Sequence, residues 1–267
     1  MKTPLRYPGG KQRAAKRIVE HIPEGTTTLY SPFFGGGSVE FEWLEQNPVG
    51  TVEGRDVFEP LVNFWRYVIS GHAPDMAARI RKCYLPLDKD TFYALQNQLR
   101  SGMGTSFDRA CWFYVINRAS FSGATLSGGM GNGDRFTQSS CDRLRDLEVP
   151  KGLTVRSGDV FDSLRRRTER FTPDTCIYLD PPYMLPVSRL YGDRGDTHDG
   201  FNHKRLRRLM GKLNDQGVKW VMSYNNCPEV HAMYRDFRRK PTEWKYGMSN
   251  DKDGKELLIF SDGVTYG

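Results

Sequence analysis

Asp180-Pro181-Pro182-Tyr183 follows directly on the apolar run Thr175-Cys176-Ile177-Tyr178-Leu179. This puts a carboxylate, two imides and an aromatic ring at the carboxyl end of a strand, where open α/β sheets bind ligands. Prolines fix φ and carry no N–H, so the chain turns there and leaves a carbonyl pointing outward. An ionised Asp only accepts hydrogen bonds, and with the Pro181 carbonyl it can take both hydrogens of an exocyclic amine. The Tyr offers a face for a flat heterocycle. Together they suit an amino-bearing nucleobase, although Asp-Pro-Pro also serves as a plain strand-exit turn.

A second group lies upstream. Thr27-Thr28-Leu29-Tyr30 reads as a strand and is followed by Ser31-Pro32-Phe33-Phe34-Gly35-Gly36-Gly37-Ser38, then by an amphipathic stretch from Val39. Strand, glycine loop and helix is the setting in which a backbone comes close to a nucleotide-like cofactor. A further strand from Gly50 leads to Asp56, nineteen residues past Gly37, where an acid grips a ribose diol in a doubly wound fold. The N-terminal Arg6-Tyr7-Pro8-Gly9-Gly10-Lys11 opens into a helix whose Ala14, Ala15, Ile18, Val19 and Ile22 share one apolar face. Each segment has a bland counterpart: a glycine turn, a Pro-Gly-Gly turn, a solvated lysine.

Taken in order, these segments resemble the Dam-type DNA adenine-N6 methyltransferases, the alpha group of amino-methyltransferases. That group carries an N-terminal Tyr/Trp-Pro/Ala-Gly-Gly-Lys, a Pro-Phe-x-Gly-x-Gly-Ser loop, a recognition insert and then Asp-Pro-Pro-Tyr. Asn117-Arg118-Ala119-Ser120-Phe121-Ser122-Gly123, Ser223-Tyr224-Asn225-Asn226 and Lys255-Glu256-Leu257-Leu258 are similar to further family segments. The resemblance implies a Rossmann-like S-adenosylmethionine-dependent methyltransferase fold, a doubly wound, mostly parallel sheet whose last strand inserts antiparallel. It also implies an inserted, mainly helical target-recognition lobe, with residues 1–57 and 150–267 catalytic and 58–149 reading DNA. The activity it implies is methyl transfer from S-adenosylmethionine to the exocyclic amine of adenine in double-stranded DNA, with the target base flipped out. Asp180, Pro181 and Tyr183 would carry catalysis. Tyr7, Lys11, Phe34, Gly35, Gly37, Ser38, Asp56, Asp159, Val160 and Asp180 would hold the cofactor, and no metal is needed. Arg6, Arg118, Ser120, Phe121, Ser122 and Arg135 would reach DNA.

Two departures from the family pattern bear on this. Ser31 stands where many relatives have an acid, which touches cofactor affinity. Leu126 falls where readers of GATC place an arginine, and Ser127-Gly128-Gly129-Met130-Gly131-Asn132-Gly133 offers few side chains, so the target is GATC or another short sequence. Methylation of cytosine N4, or a catalytically silent DNA-binding relative, are the alternatives. A cognate restriction endonuclease and a monomer or weak dimer on DNA complete the expectation.

The wider composition agrees. The 267 residues are 38% hydrophobic with a formal net charge of +7, as expected of a nucleic-acid binder. Basic residues cluster at Arg165-Arg166-Arg167, Lys204-Arg205-Arg207-Arg208 and Arg235-Arg238-Arg239-Lys240, most of which read as solvated helix faces. Five dispersed cysteines without Cys-x-x-Cys argue against a disulfide framework or a zinc site. His198 and His203 read as polar surface. Apolar runs such as Cys111 to Ile116 are too short to span a bilayer, and no leader is evident, so an intracellular protein is expected. Strands are predicted at 27–32, 50–55, 153–157, 175–180 and 218–223, with a C-terminal pair near 242–247 and 256–261. Helices are predicted near 59–70, 89–101, 105–118 and 203–215, the last on its Leu206, Leu209, Met210, Leu213 stripe.

Overall fold

The computed structural model describes residues 2–7, 9–131, 135–184, 200–245 and 253–264, with the side chains of 243–245 and 253–255 excepted. Five parallel strands form the centre of the sheet: β1 (Thr28–Ser31), β2 (Thr51–Asp56), β3 (Leu153–Ser157), β4 (Thr175–Leu179) and β5 (Lys219–Asn225). An antiparallel pair, β6 (Arg238–Lys245) and β7 (Asp253–Phe260), completes it. The order is β3-β2-β1-β4-β5-β7-β6, with β7 antiparallel to both neighbours. Every residue of β4 is buried, as a strand covered on both faces requires.

The order reverses between β1 and β4, which pair directly with Thr28 opposite Thr175. From there the chain runs to β2 and β3 on one side and to β5 on the other. This is the topological switch point, and it brings the loop after β1 beside the loop after β4. The glycine loop and Asp-Pro-Pro-Tyr therefore meet although they are far apart in the chain.

Ten α-helices are seen among the described residues. α1 (Ala15–Val19) and α2 (Ser38–Gln46) precede β2, while α3 (Glu59–Ile69), α4 (Ala73–Tyr84), α5 (Lys89–Arg100), α6 (Ser106–Ala119) and α7 (Gln138–Arg145) fall between β2 and β3. α8 (Val160–Arg167), α9 (His203–Asp215) and α10 (Pro228–Met233) follow. Local signals set several starts. Asp88 caps α5 by accepting the Thr91 N–H, and Thr105 with Asp108 forms a capping box on α6. All residues of α6 from Ala110 to Ala119 are buried. Its Tyr114 ring stacks on Phe64 of α3 at 5.6 Å and 7°, and Phe64 in turn meets Trp65. These rings join one continuous apolar cluster with Leu29, Phe34, Phe41 and Val52, so the helices between β2 and β3 share a core with one face of the sheet. The other face packs Tyr30, Ile177, Leu179 and Trp220 against Leu206, Met210 and Leu213 of α9.

Most predicted elements are found within a residue or two. The strand expected at 242–247 begins earlier, at Arg238, because a basic run ending in Pro241 fits an edge strand, where proline is tolerated; residues 246 and 247 lie outside the described residues. α4, α7, α8 and α10 were not predicted; α7, α8 and α10 are short, whereas α4 does carry a periodic stripe of Ala73, Met76, Ala77 and Ile80 that was overlooked. The N-terminal helix is only five residues long, its entry formed by Ala14 and Ala15 donating to the Lys11 carbonyl. His203 is a correction: it is half-buried, hydrogen-bonded to the Tyr224 hydroxyl and set edge-on against Phe201 at 5.0 Å. His198 and residues 132–134 of the glycine-rich stretch lie outside the described residues. No described helix is long and apolar enough to cross a membrane.

Candidate active site

A cavity of about 580 Å³ opens at the switch point, in the size range of cofactor sites. Tyr7 and Lys11 border it from the N-terminal segment, Pro32 to Glu40 from the glycine loop and α2, and Asp180 to Pro182 from the end of β4. Asp56, Val57 and Phe58 lie beyond β2, and Asp159 to Phe161 with Phe201 and Arg205 line the remaining side.

Asp180 is held from two directions. The Lys11 ammonium donates to Oδ1 at 2.8 Å and to Oδ2 at 2.9 Å, and the Ser223 hydroxyl donates to Oδ1 at 3.1 Å. A carboxylate has about four acceptor positions. Three are engaged, which leaves one on Oδ2 for an incoming N–H. Ser223 is itself bonded to the Tyr178 hydroxyl, so β4 and β5 fix the carboxylate jointly. Lys11 is 3% exposed and also faces Glu256 at 3.7 Å. Burial pulls its pKa down, but Asp180 and Glu256 outweigh burial and hold the ammonium charged well above the usual lysine range. Glu256 is fully buried; desolvation pushes its carboxyl up to about 7 against the pull of Lys11.

Tyr183 is anchored at both ends. Its hydroxyl donates to Glu256, its ring lies under the Lys11 ammonium at 4.9 Å, and Tyr224 stacks on it at 6.1 Å and 27°. Asn225 accepts the Met184 N–H and donates to the Met184 carbonyl, each at 3.1 Å, which pins the chain just past the tetrapeptide.

The glycine loop is equally constrained. Gly35 donates to Asp56 Oδ2 at 2.9 Å and accepts from the Trp65 indole at 3.0 Å. Gly35 and Gly37 have φ of 50° and 70°, a region that suits glycine. A Cβ on Gly35 would stand 2.9 Å from the Tyr7 ring, and one on Gly37 2.8 Å from Phe34. Asp56 also accepts the Phe58 N–H; burial raises its pKa, and these backbone donors oppose the rise. Ser31 is buried and donates to Glu40 Oε1 at 2.5 Å. Asp159 caps α8 through Oδ1, accepting from Phe161 and Asp162. Phe161 stacks on Phe201 at 5.8 Å and 21° and lies under Arg205 at 4.1 Å, giving that side of the cavity an aromatic wall.

The predicted catalytic and cofactor residues line one cavity except Tyr183, whose ring sits against Lys11 and Tyr224 and does not border it. Phe34 is 2% exposed and works mainly as a wedge, edge-on to Trp65 at 5.5 Å. Glu40, Glu256, Asn225 and the Phe161–Phe201–Arg205 wall were missed. Glu256 and Asn225 stand inside matched segments, but their contacts are long-range and leave no local signal.

The predicted DNA contacts divide. Asn117 clamps the N-terminal segment: its Oδ1 accepts the Arg6 N–H at 2.9 Å and its Nδ2 donates to the Arg6 carbonyl at 2.6 Å. Arg118 is buried at 6% exposure and donates to the Pro4 carbonyl, while its Nε has no partner. Burial lowers its pKa to about 10. Ser120 is also buried and accepts the Thr125 N–H. In this conformation both hold the loop rather than project from it, because the turn after α6 points them inward. Phe121 does project, 58% exposed, with Arg135 over its ring at 5.3 Å. Ser122 and Thr125 take φ of 54° and 50°, unusual for residues with side chains. Gln96 fastens the loop by donating to the carbonyls of Thr125 and Gly128. Burial and the charges of Arg135 and Arg143 together lower the Arg6 pKa. Among the described residues none of these three arginines pairs with a carboxylate.

Most of the clustered basic residues are exposed, Lys204, Arg205, Arg208, Arg235 and Arg238 among them, as expected of solvated faces, and a few pack against neighbours. Arg167 pairs with Glu53 and lies over Tyr30, Arg207 lies over Phe237 at 4.4 Å, and Arg239 donates to the His231 carbonyl. Arg165 and Arg166 remain 77% exposed.

A sheet of this order with a reversed seventh strand, and a glycine loop facing Asp-Pro-Pro-Tyr across one cavity, defines a Rossmann-like methyltransferase. Residues 7–248 match the model of the D12 class N6 adenine-specific DNA methyltransferase family, to which the chain belongs; it is an adenine-specific DNA methyltransferase. The chain is 22% identical over 248 residues to the Type II methyltransferase M1.LlaDCHI of Lactococcus lactis subsp. cremoris, covering 87% of this chain and 84% of that one. It is 23% identical over 245 residues to the Modification methylase LlaI of Lactococcus lactis subsp. lactis, covering 83% of this chain but only 36% of that longer protein. The solved precorrin 8w decarboxylase from Methanobacterium thermoautotrophicum, with 12% identity, a TM-score of 0.42 and coverage of 98% and 95%, is too distant to bear on function.

Proposed function

We propose that this protein methylates the exocyclic amine of adenine in double-stranded DNA with S-adenosylmethionine as donor, acting on a base swung out of the duplex. One observation carries the reading: Asp180 retains one open acceptor position next to the Pro181 carbonyl, in the cavity that also holds the glycine loop and Asp56. The adenine amine is a weak nucleophile because its lone pair is delocalised into the ring. Asp180 and the Pro181 carbonyl would accept its two hydrogens and favour a pyramidal nitrogen, as preorganised acceptors aimed at developing charge do. Lys11 and Ser223 keep the Asp180 carboxylate aligned before the base arrives. Tyr183, locked by Glu256, would present its ring to the base, which cannot be reached inside a duplex.

The residues present fit the donor. Gly35 and Gly37 border the cavity in a loop packed too closely on Tyr7 and Phe34 to admit a Cβ, Asp56 has acceptor capacity for ribose hydroxyls, and the Phe161–Arg205 side suits an adenine ring. When bound, S-adenosylmethionine supplies a methyl group made electrophilic by its sulfonium.

Residues 58–149 form the recognition part of this reading, with residues 1–57 and 150–267 the catalytic part. Arg6, Arg135 and Arg143 meet phosphate or guanine, and Phe121 stands exposed beside them. The target is a short sequence, GATC or another. The two relatives are named as a Type II methyltransferase and a modification methylase, which supports a restriction-modification role; a partner endonuclease and an intracellular setting belong to the same proposal. The test is to methylate a plasmid with purified protein and map modified bases by single-molecule sequencing. Modified adenines at one short motif are expected. Modification confined to cytosine N4, or no transfer from a radiolabelled donor, would overturn the proposal.

A further inference from the structure

Glu40 sits in the first turn of α2, is 2% exposed and opens on the cavity beside Gly35, Gly37 and Lys11. Ser31 donates to its Oε1, and the N–H groups of Val39 and Glu40 lie against it, so at most three of its four acceptor positions are engaged. Among the described residues no cation is paired with it: Lys11, in the same cavity, is committed to Asp180 and Glu256. Desolvation pushes the Glu40 carboxyl up to about 7, with Asp180 adding to the rise. A buried carboxylate without a counter-charge is costly to keep and is normally paired, and this one opens only toward the space where a ligand would sit.

Ser31 fixes the direction in which this carboxylate faces. The family pattern has an acid at this strand end, and here a serine stands there with its hydroxyl committed to Glu40. The negative charge beside this strand end is that of Glu40 in the first turn of α2, and it borders the cavity. We propose that Glu40, aimed by Ser31, is the counter-charge for the primary ammonium of the donor's methionyl part. A sulfonium has no N–H to donate, whereas an ammonium has three, which suits a carboxylate with an open acceptor position. The inference rests on the cofactor reading given above.

The test is calorimetric binding to the purified full chain, with three ligands. S-adenosylhomocysteine carries the ammonium without the sulfonium, S-adenosylmethionine carries both, and 5′-methylthioadenosine carries neither. In Glu40→Gln the first two are expected to bind on the order of tenfold to a hundredfold more weakly, the worth of one charge-assisted hydrogen bond. Methylthioadenosine should change by less than about twofold. Ser31→Ala, which keeps the charge but frees it, should show the same ligand pattern at roughly threefold and serves if Glu40→Gln does not fold. A loss confined to S-adenosylmethionine would assign Glu40 to the sulfonium and overturn the inference. An equal loss for all three ligands would make Glu40 a structural residue and overturn it too. Unchanged binding of S-adenosylhomocysteine removes this inference alone, whereas wild type that binds none of the ligands removes the cofactor reading as well.

Discussion

Replacing Glu40 by Gln should make the ligand-free protein more stable at alkaline pH. The Glu40 carboxyl is raised from its ordinary 4.5 to about 7 by burial, with Asp180 contributing repulsion and Ser31 and the first-turn N–H groups opposing it. Tyr178 senses the same charge, and Lys11 borders the same cavity. A folded-state value above the unfolded one means that the native state binds more protons across that window. Stability from this group is therefore complete below about pH 4.5 and is lost as pH rises through about 7. At about 1.4 kcal/mol for each pH unit between the two values, ionisation costs the native state up to about 3 kcal/mol by pH 8. Gln fills the same space, can still accept from Ser31 and never ionises. Urea unfolding of the ligand-free protein should place Glu40→Gln about 1–3 kcal/mol above wild type at pH 8, allowing for an imperfectly bonded amide, with the two converging toward pH 5. A variant less stable than wild type at both pH values, or a difference that does not change with pH, would refute the reasoning. The more stable variant should also be the weaker binder, a trade between stability and function.

Other perturbations probe different parts of the site. Asp180→Asn should lower methyl transfer by on the order of a hundredfold to a thousandfold in a radiolabel assay, and near-normal turnover would remove Asp180 from the chemistry. Gly37→Ala, at φ 70° with Phe34 only 2.8 Å from the new Cβ, should cost about 2 kcal/mol in urea unfolding. Asn117→Ala leaves the Arg6 N–H and carbonyl without their partner, at about 1–3 kcal/mol for each buried group. DNA affinity should fall in that variant while S-adenosylhomocysteine binding stays put, as separate titrations can show. Arg135→Ala should weaken binding to all duplexes and lower the slope of log affinity against log salt by about one; an unchanged slope would mean that it touches no phosphate.

The strands of the switch point are legible because they are short apolar runs closed by turn residues, and both motif loops sit at their ends. Their meeting follows from the topology of a doubly wound sheet. What sequence does not carry is which way a residue faces. Arg118 and Ser120 belong to a segment expected at the DNA from the family resemblance, yet burial turns both inward and leaves Phe121 outside. Glu40 shares its helix with Glu42 and Glu45, so in sequence it looks like one more solvated helix position. The Tyr183–Glu256 bond spans 73 residues, and no local pattern announces it. α8 escaped prediction because only Val160, Phe161 and Leu164 of its eight residues are apolar, whereas α4 was legible in the spacing of Ala73, Met76, Ala77 and Ile80 and was overlooked.

The aromatic seam from Phe34 and Phe41 through Trp65 and Phe64 to Tyr114 has an evolutionary consequence. Because the helices between β2 and β3 have no separate interior, they cannot be exchanged as a cassette between relatives without tearing the centre of the enzyme. On the proposed recognition role of this region, new target preferences would then arise by point changes in the turn that follows α6, where Asn117 and Gln96 fasten the backbone and the side chain of Phe121 projects.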